Sequence, residues 1–202
     1  MKVLVTGFEP FGGVEGNPSE DVLPLLPDAL GPIQIVKQVL PVAFVDSGWQ
    51  IAAALTEERP DLVLCLGLKS GAMALELERI AINLDDAYMP DNAGDQPRER
   101  PILPHGPDGI FSPLPLKRMQ RAIQSTGVPA QLSNSAGTYV CNHVFYVALA
   151  TARELSPPPP VGFIHLPLTP QLALSRYDRP SMTLEDMRRG LVAALATAID
   201  AL

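Results

Sequence analysis

Cysteine is nearly absent: there are two in 202 residues, Cys65 and Cys141. Two thiols are too few for a disulfide scaffold, and no spaced Cys/His cluster offers zinc a structural site. A reducing compartment, the cytoplasm, is therefore expected. Positive charge is scarce as well, with 15 Lys and Arg against 22 Asp and Glu and a formal charge of −7. That balance removes the attraction on which binding to phosphate backbones or anionic lipid depends, so neither nucleic acid nor a membrane surface is an expected partner. No apolar run is long enough to span a bilayer, and the run after Met1-Lys2 meets Gly7 too early for a secretion signal. No internal repeat is present.

The chain has 47% hydrophobic and 18% charged residues. That is enough apolar surface for one core, so residues 1–202 read as a single domain. Its 22 prolines are scattered through turns, apart from Pro157-Pro158-Pro159-Pro160, and indicate ordered loops. Residues 2–6 and 61–67 are continuous apolar runs closed by glycine, the pattern of strands buried on both faces of a parallel sheet. Residues 34–41, 77–84, 130–133 and 161–167 read as further strands. Helices are expected at 20–26 (started by Ser19), 44–59, 116–125, 139–155 and 182–202, the last capped by Ser181 or Thr183. A long loop rich in Pro, Gly, Asp and Asn covers residues 85–113, a length that is often functional. Strands alternating with helices predict a three-layer α/β/α sandwich around a mostly parallel twisted sheet, with sites at the C-terminal ends of strands.

The segment from Ser133 to His143 leads small residues into a helix whose first turn contains Cys141. Free N–H groups and the helix dipole there favour thiolate, and the same N–H groups can donate to an oxyanion. Nucleophilic acyl transfer is the chemistry suggested, and the alternative is a small buried hydrophobe, which is how Cys65 reads inside its strand. A cysteine nucleophile needs a base. Of the three histidines, His165 stands near the end of an apolar strand, His105 lies in a Pro/Gly loop, and His143 is expected to pack on its own helix. A carboxylate should orient the imidazole, but Glu76, Glu78, Asp85 and Asp86 all compete, and position does not choose among them. The loop Gly7-Phe8-Glu9-Pro10-Phe11-Gly12-Gly13 lacks the P-loop lysine and the G-x-G-x-x-G spacing. Its two phenylalanines, read as exposed, either wall a small apolar pocket or fold back on the core.

Five segments in order carry a resemblance along essentially the whole chain. They are Val5-Thr6-Gly7-Phe8-Glu9-Pro10-Phe11-Gly12-Gly13 with Asn17-Pro18-Ser19, Glu78-Arg79-Ile80-Ala81-Ile82-Asn83, Pro90-Asp91-Asn92, Gly137-Thr138-Tyr139-Val140-Cys141-Asn142, and Phe163-Ile164-His165-Leu166-Pro167. Together the chain resembles the pyroglutamyl-peptidase I family of cysteine exopeptidases. The resemblance implies Cys141 as nucleophile, His165 as general base and acid, and Glu78 as the carboxylate that orients it. It implies hydrolysis of N-terminal 5-oxoprolyl groups from peptides or amides through a thioester, without metal or organic cofactor. It implies a single α/β/α domain assembled as a homotetramer.

The pyroglutamyl ring is small, flat and uncharged, with one lactam N–H and one lactam C=O. By the resemblance Phe8 and Phe11 sandwich it, backbone groups near Leu68 pair its edge, and Asn17, Tyr139 and Val140 complete the wall. Such a site should reject proline, which lacks the lactam oxygen, and a charged free amine, which is costly to bury. Two positions depart from the family pattern: Ala72 and Tyr88 stand where arginines are common. The departures leave open a related thiol amidase with shifted preference, or a silent pyroglutamyl-binding homologue, and Lys69, Arg79 or a backbone N–H is available to take over an arginine's task.

Overall fold

The computed structural model, which describes residues 1–174 and 178–202, turns the uninterrupted apolar runs into strands of one sheet. β1 (Lys2–Phe8) is buried along nearly its whole length. α1 (Pro18–Asp21) follows, then a single 3-10 turn at Leu23–Leu25. The helix expected at 20–26 is thus shorter and differently capped. Asn17, not Ser19, is the N-cap: its side chain accepts from the Ser19 N–H, Pro18 fits the first helical position, and Pro24 prevents a longer helix. The Ser19 hydroxyl instead accepts from the Phe8 N–H at 2.9 Å, tying α1 to the end of β1.

β2 (Ala29–Leu30), too short to be visible as a pattern, pairs antiparallel with β3 (Ile33–Leu40). α2 (Phe44–Glu58) leads to β4 (Leu62–Leu68). The strand expected at 77–84 is two strands, β5 (Leu75–Glu78) and β6 (Ile80–Ile82). The chain turns at Arg79, whose N–H donates to the Ser133 carbonyl at 2.9 Å while its own carbonyl accepts from Ser112 at 2.9 Å. β6 leaves the main sheet and pairs with β7 (Gly109–Phe111), which lies inside the expected long loop. α3 (Leu116–Ser125) and β8 (Ala130–Ser133) stand as expected. They are followed by α4 (Val140–Arg153), β9 (Val161–Leu166), the four-residue α5 (Pro170–Ala173) and α6 (Leu184–Ile199). Of the two cap candidates for α6, Thr183 serves: its hydroxyl accepts from the Asp186 N–H at 3.1 Å.

The main sheet has the order β2-β3-β1-β4-β9-β5-β8. β3, β1, β4 and β9 are parallel, β5 runs antiparallel to β9, and β8 is parallel to β5. One apolar cluster joins the sheet to α3, α6 and the 3-10 turn, through residues such as Leu64, Met119 and Leu191. A second joins the opposite face to α2 and α4, through Val63, Ile51 and Phe145. Both sheet faces are covered, which is why the central strands read as unbroken apolar runs. The architecture is the expected α/β/α sandwich.

The 85–113 loop is sewn to the body. Asp91 caps α2 from a distance, its Oδ2 accepting from the Phe44 N–H at 2.8 Å, a bond that Ala43 at the N-cap position cannot supply. Its other oxygen accepts from the N–H groups of Ala93 and Asp95, shaping the turn. Asn92 donates to Glu9 Oε1 and to the Pro10 carbonyl, at 2.8 and 2.9 Å. The Pro90-Asp91-Asn92 motif is therefore a clasp between the loop, α2 and the segment after β1. No helix among the described residues is long and apolar enough to cross a membrane.

Candidate active site

Register decides which acid meets His165. β5 and β9 are antiparallel with Glu76 directly opposite His165, and side chains two apart share a face, so Glu76, Glu78 and His165 all project to the same side. Glu76 is already engaged, by Lys69 Nζ at 2.6 Å and by Gln131 Nε2 at 2.8 Å. Glu78, the diagonal neighbour, bonds His165 Nδ1 through Oε1 at 2.8 Å, and both side chains are buried. A carboxylate at that distance needs Nδ1 to carry the proton, so Nε2 is the nitrogen left free to accept. The remaining candidates are occupied elsewhere. Asp85 is buried against His143 Nδ1 at 3.0 Å, so His143 does not simply pack on its helix but bonds across to this loop. Asp86 exchanges backbone and hydroxyl bonds with Thr138. His105 is exposed.

Cys141 is the second residue of α4, after a turn in which Gly137 takes φ 79°. The first-turn N–H groups have no intrahelical acceptor, so Val140 and Cys141 present donors toward any oxygen bound near the sulfur. Asn142 fixes the helix end: its side chain accepts from the Ile82 N–H at 2.9 Å and donates to the carbonyls of Ile82 and Leu84. Gly67, at the end of β4, permits the sulfur's position. A Cβ there would lie 2.9 Å from Cys141 Sγ and 2.8 Å from Phe163 Cζ. In the sequence Asn142 stands in the fourth motif and Gly67 closes the apolar run of β4, without either being a site candidate there.

The helix N-terminus, which favours thiolate, is opposed by burial. Burial, then the negative charges of Glu78 and Cys65, push the Cys141 thiol up to about 12, against smaller opposing effects of its own backbone N–H and Lys69. Cys141 is half-buried and lines the cleft, and the helix dipole that opposes its desolvation is worth about 0.3–1 kcal/mol at an exposed terminus. Labelling of Cys141 by iodoacetamide should rise about tenfold per pH unit from neutral to alkaline pH, because the reactive fraction is the thiolate. Rate against pH checks this, and levelling off below pH 8 would show a resting thiolate instead.

Cys141 and His165 line one cleft of roughly 510 Å³, together with Phe11, Leu68, Lys69, Tyr88 and Tyr139. Cys141 also borders a tighter recess, whose walls include all six expected pocket residues, Phe8, Phe11, Asn17, Leu68, Tyr139 and Val140. Two differ in detail from expectation. Phe8 is not an exposed loop residue but the last residue of β1, 2% exposed, so it serves both core and recess. Asn17 is a wall whose polar groups are engaged in the turn: its amide donates to the Glu9 carbonyl and its oxygen accepts from Ser19. Of the substitutes for the missing arginines, Lys69 lines the cleft, whereas Arg79 is bonded to Asn134 Oδ1 at 3.0 Å. Ala72 is buried and Tyr88 is 72% exposed. No group of three or more His, Cys, Asp or Glu that could hold a metal is found among the described residues.

Known proteins share this chain's sequence and fold over nearly its whole length. The pyroglutamyl peptidase family model matches residues 1–201. A pyrrolidone-carboxylate peptidase of Alkaliphilus oremlandii is 42% identical over 200 residues, covering 99% of this chain and 94% of its own. One of Lactobacillus helveticus is 45% identical over 199 residues, covering 98% of each chain. A mutant pyrrolidone carboxyl peptidase of Pyrococcus furiosus superposes with a TM-score of 0.96 at 38% identity, covering 100% of both chains. Pyroglutamyl peptidase I of Bacillus amyloliquefaciens gives 0.93 at 40% identity, covering 98% of this chain and 94% of that one. With the family model matched nearly end to end and the fold shared throughout, this chain belongs to the pyroglutamyl peptidase family.

Proposed function

We propose that the protein is a cysteine exopeptidase that hydrolyses N-terminal pyroglutamyl groups from peptides or amides, with Cys141, His165 and Glu78 as its triad. One observation carries this reading beyond family membership: Cys141 lines one cleft with His165, whose Nδ1 bonds the buried Glu78, and borders an apolar recess as well. The recess is about 10 Å³ as it stands, room for about one water, so a flat uncharged ring enters from the cleft and parts Phe8 and Phe11, with the main chain at Leu68 pairing the lactam edge and Asn17, Tyr139 and Val140 as walls.

Burial disfavours a free thiolate, and attack is coupled to proton transfer. His165 Nε2 takes the thiol proton as the S–C bond forms at the pyroglutamyl carbonyl, and the N–H groups of Val140 and Cys141 stabilise the developing oxyanion. Glu78 stabilises the imidazolium. Collapse breaks the C–N bond, and the leaving amine receives the proton from His165. Water then attacks the thioester, giving a proton to His165, and the proton returns to sulfur as the C–S bond breaks. Thiol and imidazole supply nucleophile and proton carrier, so the cycle calls on no metal or organic cofactor.

The cytoplasm as location is supported by the sparse free thiols, Cys65 being buried inside β4. Assembly as a homotetramer is supported by Val45 and Trp49 of α2, which are 65% and 78% exposed, apolar surface of the kind that marks interfaces.

Release of a fluorophore from a pyroglutamyl amide, with the prolyl amide alongside, tests the activity. Turnover of the first should exceed that of the second by roughly 10⁴-fold or more, because a site built to pair a lactam leaves buried polar groups unpaired with proline. Negligible release from both would favour a silent binding homologue, and comparable release from both a broader thiol amidase.

A further inference from the structure

His165 faces two buried carboxylates and bonds one of them. Glu76 stands directly opposite it across β5 and β9, and Glu78 is the diagonal neighbour. Opposite side chains have Cβ atoms about 4.5–5.5 Å apart and diagonal ones about 7–8 Å, so Glu76 starts nearer to the imidazole. Yet Glu78 holds Nδ1, at 2.8 Å. On the peptidase reading of this site, we propose that Lys69 is a positioning residue: with Gln131 it clamps the Glu76 carboxylate, keeps it from competing with Glu78 for the imidazole, and so holds His165 in the orientation that serves Cys141.

Three observations carry this. First, the clamp takes both oxygens of Glu76. Lys69 Nζ bonds Oε2 at 2.6 Å, and Gln131 Nε2 donates to Oε1 at 2.8 Å. Gln131 is level with Glu76 on β8, so Gln131, Glu76 and His165 form one row across three neighbouring strands. Glu76 is buried, so its charge needs these partners, and without the ammonium the imidazole opposite is a donor it can turn to. Second, Lys69 is held in place by its backbone. Its N–H donates to the Leu166 carbonyl at 2.9 Å, and its carbonyl accepts from the N–H groups of Gly71 and Ala72 at 2.8 and 3.0 Å. It therefore stands where β4 and β9 end, and it lines the cleft with Cys141 and His165. Third, the hold of Glu78 is a single hydrogen bond, because its Oε2 is buried with no hydrogen-bond partner among the described residues. A freed Glu76 would compete against that one bond. It would also favour the imidazolium over the neutral ring that must accept the thiol proton. The other titratable groups on this side do not replace the clamp. Cys141 and Tyr139 reach the cleft from the start of α4 and Tyr88 from the loop, while Cys65 is sealed inside β4. Arg79 is bonded to Asn134, and Arg179 donates to the Ser70 carbonyl at 3.5 Å.

The test is the pH dependence of kcat and kcat/KM on a pyroglutamyl amide for the wild type, Lys69→Met, Lys69→Gln and the double variant Lys69→Met with Glu76→Gln. Lys69→Met should lower kcat about tenfold with KM within about threefold, a size found for neighbours coupled in one network. The acid limb of kcat/KM, which reports the free enzyme's base, should move to higher pH. Removing the freed carboxylate as well should undo both changes, returning the double variant to within about threefold of the wild type. Lys69→Gln, which can donate to Glu76 without a charge, should lose roughly threefold in kcat, and it stands in should Lys69→Met not fold. The His165 Nδ1 proton, followed by proton–nitrogen NMR, should shift in Lys69→Met and return in the double variant whether or not substrate is turned over. An unchanged kcat and acid limb in both single variants overturns the proposal. So does a double variant as slow as Lys69→Met, which would make Lys69 a direct contact of the substrate or a support of the fold. If the wild type turns over no pyroglutamyl amide, the peptidase reading fails, and the NMR signal decides the clamp by itself: a signal unmoved in Lys69→Met overturns it.

Discussion

Replacing Cys141 by alanine is expected to abolish hydrolysis of a pyroglutamyl amide, a loss of roughly 10⁴-fold or more in kcat, the scale found when a triad nucleophile is deleted. The methyl group left behind can form no thioester. His165 retains its bond to Glu78, the first-turn N–H groups stay in place, and the recess keeps its walls, since only the sulfur is removed from the Gly67 contact. Binding should therefore survive catalysis: pyroglutamate or an unhydrolysed pyroglutamyl peptide should still bind the variant, measurable by calorimetry. Activity within tenfold of the wild type would remove Cys141 from the nucleophile's role, and since Cys65 is fully buried in β4 no other free thiol could take it.

Glu78→Gln should move two observables in opposite directions. A glutamine of the same shape can turn its NH₂ toward His165 Nδ1, which holds the proton on Nε2, the nitrogen that must accept from the thiol. A change of this kind at the orienting carboxylate of a triad costs about 10⁴ in kcat, and a loss on the order of 10³–10⁴ is expected here. The thiol itself should become easier to ionise. Burial is the main cause holding Cys141 at about 12, and the Glu78 charge is the second, so removing that charge shifts the alkylation profile to lower pH. General loosening would also ease ionisation, by exposing the sulfur, so the thermal unfolding midpoint is read alongside: a shifted labelling profile in a variant that melts close to the wild type reports the lost charge. A kcat within tenfold of wild type, or an unmoved labelling profile, would take Glu78 out of the role. The substitution also disturbs a buried pair: the Glu78 side chain is 0% exposed and its Oε2 has no hydrogen-bond partner among the described residues. Some loss of stability is expected, since breaking one side of a buried pair costs about 3–5 kcal/mol when a charge is left uncompensated and less when, as here, the glutamine can still bond the imidazole.

The layers of the fold were readable because burial on both faces leaves a simple mark. Runs such as Leu62–Leu68 and Val161–Leu166 carry no polar residue until the strand's working end, where Gly67 and His165 appear. What sequence patterning missed was short or bent. β2 and α5 have two and four residues, below any periodicity. The break at Arg79 depends on partners at Ser112 and Ser133, more than 30 positions away, which no local pattern contains.

The sequence by itself determined the α/β/α class, the nucleophile and base as candidates, and the family through its five motifs, because each is written in contiguous residues under local constraint. Tertiary structure decided the rest. The choice of Glu78 over Glu76, two residues apart on the same face, follows from antiparallel register with β9 and from Lys69 and Gln131 having claimed Glu76. The burial that opposes the helix dipole at Cys141 follows from the packing around it, whereas sequence position alone brings only the dipole into view. Tyr88 meets Tyr139 because the clasp of Asp91 and Asn92 brings the loop beside it, a contact between residues some 50 positions apart. Register, desolvation and long-range docking are properties of the folded surroundings, so they become legible only when the chain is folded.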